Sequence, residues 1–158
     1  EWVKLTGEGA NAVQGNALHL PFPDRCFDAI ATSPTFGNRL ADKHKAKDGS
    51  LRRSYTHDLG RDLSTDNSGG MQWGDDYRRF HEKAWSEAIR VLKLGGRFVL
   101  NIKDHIRGGV PQGVPQWHDE ILRQMGLTPM EWREIQAQHL RQGSNTERCP
   151  EWVITYYR

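Results

Sequence analysis

The stretch Phe27-Asp28-Ala29-Ile30-Ala31-Thr32-Ser33-Pro34-Thr35-Phe36-Gly37-Asn38-Arg39 decides the fold of this chain. Small and apolar residues at positions 29–32 predict a short buried strand. Pro34 ends that strand, because proline has no amide hydrogen with which to continue a strand ladder. A hydroxyl, a free carbonyl and an aromatic ring follow at the point where the strand stops. We expect these groups at the carboxyl edge of a sheet, which is where open α/β folds bind their ligands.

The second half of the chain predicts the remaining elements of such a sheet. A helix is predicted at 75–94 from apolar residues at spacings of three and four, namely Tyr77, Phe80, Ala84, Ala88 and Val91. We expect Asp75 or Asp76 to cap its start, and Gly95-Gly96 to end it with a left-handed turn. The further predicted elements are a strand at 97–102, a flexible loop at 108–115, a helix at 116–125, and strands at 132–135 and 152–157. Together they predict an α/β fold with helices on both faces of the sheet and an antiparallel pair at its end.

Composition limits the class of protein. The 158 residues fit one domain, which we expect to span 1–158, and the formal net charge of +2 permits a polyanionic partner without requiring one. Cys26 and Cys149 are too few for a disulfide framework and fit a reducing cytoplasm. No apolar run approaches the roughly 20 residues of a membrane helix, so we expect no membrane partner. We also expect a cytoplasmic protein, and we assign no metal ligands.

The segment 38–73 is polar, rich in basic residues and almost without apolar periodicity. A loop of this length in a compact domain is usually functional or disordered. Cationic side chains mixed with an aromatic ring suit phosphate contacts and base stacking, so we predict a segment that contacts nucleic acid; a solvated mobile loop is the alternative. The predicted contact residues are Asn38, Arg39, Lys43, Arg52, Arg53 and Tyr55.

The motif Ser33-Pro34-Thr35-Phe36 resembles motif IV of the DNA amino-methyltransferases, which is written (D/N/S)-P-P-(Y/F/W). The resemblance extends to residues 15–17 and 20–24 upstream, and to the R-V-L-K-L-G-G run at 90–96 downstream. The segments 37–42 and 72–74 are similar to a subgroup of bacterial and phage DNA methylases. The resemblance implies the carboxyl-terminal portion of a Rossmann-like class I methyltransferase sheet.

The resemblance also implies a reaction, a cofactor and a substrate. The methyl group of S-adenosylmethionine would pass to an exocyclic amine of a base in double-stranded DNA. Ser33 and Pro34 would accept hydrogen bonds from that amine, Thr35 would replace the usual second proline, and Phe36 would stack on the extruded base. The predicted cofactor contacts are Asn16, Ala17, Thr32 and Ser33, with the Asn16 amide facing the adenine.

Several alternatives stay open at this stage. Serine in the first motif position favours N4 of cytosine over N6 of adenine, whereas Cys149 lies too far from the motif to be a C5-cytosine nucleophile. The glycine-rich motif I of these enzymes is not found in the chain, so we expect a preceding segment or a second chain to supply it. A non-catalytic DNA-binding remnant or subunit, or a methyltransferase acting on RNA or a small molecule, is the alternative function. Asp104 and His105, after a predicted strand, suit a structural role or a substrate contact, with a general base as the alternative.

Overall fold

A mixed four-stranded sheet is the centre of the structure, a computed structural model that describes residues 12–35, 37, 60–61, 63–135 and 149–158. The elements are β1 (Phe27–Thr32), α1 (Asp75–Val91), β2 (Leu92–Lys103), β3 (Ile106–Arg107), β4 (Val110–Pro111), α2 (Val114–Gln124), β5 (Thr128–Ile135) and β6 (Glu151–Tyr157). The sheet order is β1-β2-β6-β5, with β1 parallel to β2 and the other neighbours antiparallel. Strands β3 and β4 form a separate two-stranded hairpin.

Both helices contribute to one hydrophobic core on one face of the sheet. Phe98, Leu100 and Ile102 alternate along β2, and all three are completely buried in this core. Trp85 from α1 and Leu122 from α2 pack into the same cluster. The α/β class predicted from the sequence is confirmed, and within the described part of the chain the helices cover that one face.

The boundaries of α1 differ from the predicted ones. The helix ends at Val91 instead of near 94, because the backbone is already extended at Leu92, and Gly95-Gly96 lies inside β2. The predicted aspartate cap is also wrong: Gly74 precedes the helix and no side chain caps it. Asp75 and Asp76 lie in its first turn, where a negative charge is favourable to the helix dipole.

Strand β1 is less buried than its composition predicted. Ile30 and Thr32 are half-buried, whereas Ala29 and Ala31 are exposed. Successive strand residues point to opposite faces, and β1 forms one edge of the described sheet. Only the side chains that face the helices are therefore covered.

The glycine- and proline-rich loop predicted at 108–115 is partly ordered. Residues 106–111 form the β3–β4 hairpin, and α2 begins at Val114, two residues earlier than predicted. Gly108 and Gly109 have φ angles of 60° and 82° and form its tip, which suits the primed turns of tight hairpins. Across the described residues, no helix is long and apolar enough to span a membrane.

Candidate active site

The first motif residue lies at the carboxyl end of β1, at the edge where the sequence placed it. Thr32 pairs with Leu100 of β2 and shares its core-facing side, so Ser33 points to the opposite side of the sheet. The Ser33 Oγ atom donates a hydrogen bond of 3.1 Å to Asn101 Oδ1. Asn101 Nδ2 in turn donates to Glu151 Oε1 at 2.9 Å. The Ser33 hydroxyl is exposed, so its remaining lone pairs can accept from a substrate.

The third motif residue is held by its backbone carbonyl. The Tyr77 hydroxyl donates to Thr35 O at 2.5 Å, and Thr35 Oγ1 donates to Ser68 O at 3.2 Å. Two residues later, Gly37 O accepts from Trp73 N at 3.0 Å. Gly37 has φ of 65°, and an added Cβ would lie 3.0 Å from Trp73 N, so this position requires glycine. Helix α1 and the residues just before it therefore fix the backbone on both sides of position 36.

A buried chain of hydrogen bonds supports the Tyr77 hydroxyl. Trp85 Nε1 donates to His118 Nδ1 at 2.9 Å, and His118 Nε2 lies 3.0 Å from Tyr77 Oη. An indole nitrogen can only donate, so His118 Nδ1 accepts and Nε2 carries the proton. Nε2–H then donates to Tyr77 Oη, which leaves the tyrosine proton for Thr35 O. The direction of every bond in this chain is thereby defined.

Burial keeps these rings neutral. It lowers the pKa of His118 well below its usual value, an effect to which nearby His81 adds. The pKa of His81 is lowered to about 4, also mainly by burial, although its bond to the Tyr77 carbonyl opposes the shift. Burial likewise raises the pKa of the Tyr77 hydroxyl. A neutral His118 is the form that the hydrogen-bond chain requires.

The predicted adenine contact, Asn16, lies in an exposed turn. Its Oδ1 accepts from Leu18 N at 2.9 Å, and its Nδ2 donates to Asp66 Oδ2 at 3.4 Å. Ala17 beside it is also exposed. A cleft of about 1060 Å³ lies next to this turn. Its walls include Leu18, Asp66, Met71, Trp73, Asp75 and Phe80, but neither Thr32 nor Ser33.

Asp104 has a structural function that the sequence left open. Its carboxylate accepts from four backbone N–H groups: those of His105 (2.8 Å), Gln112 (3.2 Å), Gly113 (2.8 Å) and Val114 (3.3 Å). These bonds close the β3–β4 hairpin and satisfy amide groups at the start of α2. His105 follows as a half-buried residue at the base of the hairpin.

The other predicted contacts lie outside the described residues. These are Phe36 and the six predicted nucleic-acid contacts, Asn38, Arg39, Lys43, Arg52, Arg53 and Tyr55. Pro34 is described and is half-buried. Sequence analysis did not assign Asn101, Glu151 or His118 to the site, and its only signal for Asn101 was a polar residue near the end of a strand. Within the described ranges, no group of three or more His, Cys, Asp and Glu side chains could hold a metal ion.

Comparison with known proteins gives a fold but no family. No protein-family profile and no curated protein sequence matches the chain. A solved structure from Thermus thermophilus, of a protein provisionally assigned as a DNA modification methylase, aligns with a TM-score of 0.52 and 14% identity, covering 91% of this chain and 52% of that one. The same protein complexed with S-adenosyl-L-methionine aligns with a TM-score of 0.50 and 16% identity, covering 87% and 50%.

A more distant structure, the [4+2]-cyclase SpnF, has a TM-score of 0.48 at 14% identity and supports no inference. At these identities the likeness shows the fold alone, and it confirms the α/β sheet expected from the sequence. The chain spans about half the length of the Thermus protein.

Proposed function

We propose that this chain is the catalytic portion of a methyltransferase that uses S-adenosylmethionine to methylate an exocyclic amine of a DNA base, with N4 of cytosine favoured. The observation that carries the proposal is the acceptor at the carboxyl end of β1. The Ser33 hydroxyl donates a hydrogen bond to Asn101 Oδ1, and its lone pairs are exposed in a motif whose backbone is held at Thr35 and, just after it, at Gly37. The fold shared with a protein that binds S-adenosyl-L-methionine supports the choice of cofactor.

The amine of cytosine or adenine is a weak nucleophile, because its lone pair is delocalised into the ring. Two acceptors for its hydrogens, Ser33 Oγ and the Pro34 carbonyl, would draw the nitrogen toward tetrahedral geometry. When bound, S-adenosylmethionine would supply an electrophilic methyl group on a sulfonium. A C–N bond would form as the C–S bond breaks, S-adenosylhomocysteine would leave as a neutral thioether, and the methylated amine would then release a proton to water. Most of the rate would come from positioning, so the chain needs no strong base.

The residues around Asn16 suit the adenosine part of the cofactor. Asn16 carries donor and acceptor groups in an exposed turn, and the Asp66 carboxylate lies within hydrogen-bond distance of it. Phe36 would stack on the extruded base, and the basic residues at 38–53 would contact the DNA backbone.

The product identifies the reaction. The protein that carries this chain is incubated with DNA and S-adenosylmethionine labelled in its methyl group, and the digested nucleosides are separated by mass spectrometry. We expect labelled N4-methylcytosine. Ser33→Ala should lower the rate by about 10² to 10³, the usual effect of removing one positioned hydrogen-bond partner from the transition state. Ser86→Ala, an exposed serine on α1, is the matched control and should leave the rate unchanged.

Other products would redirect the proposal. N6-methyladenine alone would keep the reaction class and overturn the choice of base. Label in RNA or in a small molecule, with none in DNA, would overturn the substrate. DNA binding without transfer to any of these acceptors would favour the non-catalytic alternative.

A further inference from the structure

Three polar side chains form a row across the carboxyl edge of the sheet. Ser33 follows Thr32, which pairs with Leu100, so Ser33 lies beside the next β2 residue, Asn101. On the other side of β2, Asn101 pairs with Val153 and Lys103 with Glu151. Glu151 is therefore a diagonal neighbour of Asn101 on the same face, close enough for side chains to touch. The row lies opposite the hydrophobic core, whose face carries Leu100 and Ile102.

The hydrogen bonds of this row have only one possible direction. A carboxylate can only accept, so Glu151 requires the NH₂ group of Asn101 to face it. The carbonyl oxygen of the same amide then faces Ser33, and Ser33 must donate to it. The serine hydroxyl has a single proton. Once that proton is directed at Asn101, Ser33 Oγ can only accept from a substrate.

The row also connects Ser33 to a negative charge. A hydrogen bond to a carboxylate polarises the amide, which makes its oxygen a stronger acceptor for the next bond. Asn101 and Glu151 are half-buried, so water screens this chain less than it would a surface pair. The exposed end of the chain is Ser33 Oγ, whose electron density increases as its own proton is drawn toward Asn101.

We propose that Asn101 and Glu151 are positioning residues that hold Ser33 as an obligate hydrogen-bond acceptor for the substrate amine and carry the charge of Glu151 toward it. This inference rests on the proposed function. Through this relay, the acceptor at position 33 would be influenced by a negative charge that an aspartate at the same position would carry itself. The relay acts on the substrate amine through Ser33.

A charge exchange within the row tests the relay. Glu151→Gln keeps the size of the side chain but removes its charge. Asn101→Asp places a second carboxylate against Glu151, and the two repel. Each single variant should lower kcat by about tenfold or more, the rate equivalent of one hydrogen bond to a charged group, with KM for DNA and for S-adenosylmethionine unchanged.

The double variant should recover most of the lost rate. When Asn101→Asp is combined with Glu151→Gln, the amide introduced at position 151 can donate to the carboxylate introduced at position 101, which in turn accepts from Ser33. The chain of bonds and its single charge are then both restored. In a Ser33→Ala background, neither single change should lower the rate further, because the relay has no other route to the amine. Glu134→Gln, an exposed carboxylate on β5, is the control for loss of one charge.

Each outcome decides the question. A wild-type kcat for Glu151→Gln would overturn the relay while leaving the proposed function intact. So would a single variant that lowers kcat by the same factor in the Ser33→Ala background as in the wild-type background. A double variant no better than either single one would do the same. Absence of methylation by the wild-type protein would instead overturn the proposed function and this inference with it. The side-chain NH₂ resonances of Asn101, measured by NMR in wild type and Glu151→Gln, show separately whether the hydrogen bond exists.

Discussion

At the scale of single residues, the hydroxyl of Tyr77 joins the two helices to the motif. It accepts from His118 on α2 and donates to the Thr35 carbonyl next to position 36. The Tyr77 ring and His118 are both completely buried, so the His118 N–H would be left without a partner if the hydroxyl were removed. A buried polar group without a partner is destabilising. Removal of this one oxygen atom therefore tests whether the chain of hydrogen bonds stabilises the protein.

Tyr77→Phe removes the oxygen and keeps the ring. We expect the free energy of unfolding to fall by about 1–3 kcal/mol, since the buried His118 N–H loses its acceptor and the Thr35 carbonyl loses its donor. Urea unfolding followed by tryptophan fluorescence measures it. Tyr157→Phe is the control, because it also removes a tyrosine hydroxyl while keeping the ring, which lies against Arg97. Equal stability of the two variants would show that the Tyr77 hydroxyl does not hold the motif.

At the scale of elements, helix α2 is capped by a residue far outside its first turn. Its N-cap, Gly113, has φ of 73° and no side chain to offer the helix amides. Asp104 supplies the carboxylate instead, ten residues ahead of Val114, and the same group closes the hairpin between them. The hairpin and the start of α2 are thus one structural unit at the carboxyl end of β2.

Asp104→Ala should loosen both parts of this unit. We expect a loss of at least about 2 kcal/mol, the upper range for removing a helix cap, because four amides lose their acceptor. Hydrogen exchange at Gly113 and Val114 should accelerate more than exchange in α1. Asp76→Ala removes an exposed ion pair with Arg79 and one charge from the first turn of α1, and it should change stability much less. Unaltered exchange at Gly113 would contradict the capping function of Asp104.

At the scale of the whole molecule, the core contains two histidines that fold in the neutral form. His81 and His118 are both almost fully buried, among Tyr77, Trp85 and Trp117. Burial depresses the pKa of each, and that of His81 falls from 6.5 to about 4. In the unfolded chain both would bind a proton at mildly acidic pH, so protonation favours unfolding.

Stability should therefore decrease as the pH falls. The contribution of these neutral histidines is complete above the unfolded pKa of 6.5 and is lost progressively as the pH falls toward the folded pKa. For His81 alone, we expect a loss of about 2 kcal/mol between pH 8 and pH 5. Urea unfolding across this range measures the slope. His81→Gln should flatten it and exposed His19→Gln should not; equal slopes in all three proteins would exclude this origin.

Local patterns in the sequence determined the elements. The apolar spacing of α1 predicted a helix whose buried side chains include Tyr77, Ala84, Ala88 and Val91, as the structure shows. Proline after Ser33 placed the end of β1 correctly, and the order of elements gave the α/β class. These features depend on neighbours a few residues apart, which is why periodicity and proline chemistry suffice. Helix ends were less accurate, since Leu92 leaves α1 to pair in the sheet before the glycines are reached.

The tertiary structure decided the polar connections. Ser33, Asn101 and Glu151 come together because β1 and β6 both pair with β2, and Tyr77 meets His118 because α1 and α2 share one face of the sheet. No local pattern encodes which strands become neighbours or in what register, because that choice depends on how the whole core packs. The sequence by itself therefore determined which residues carry the chemistry of the motif, whereas only the folded sheet decided which distant side chains orient them.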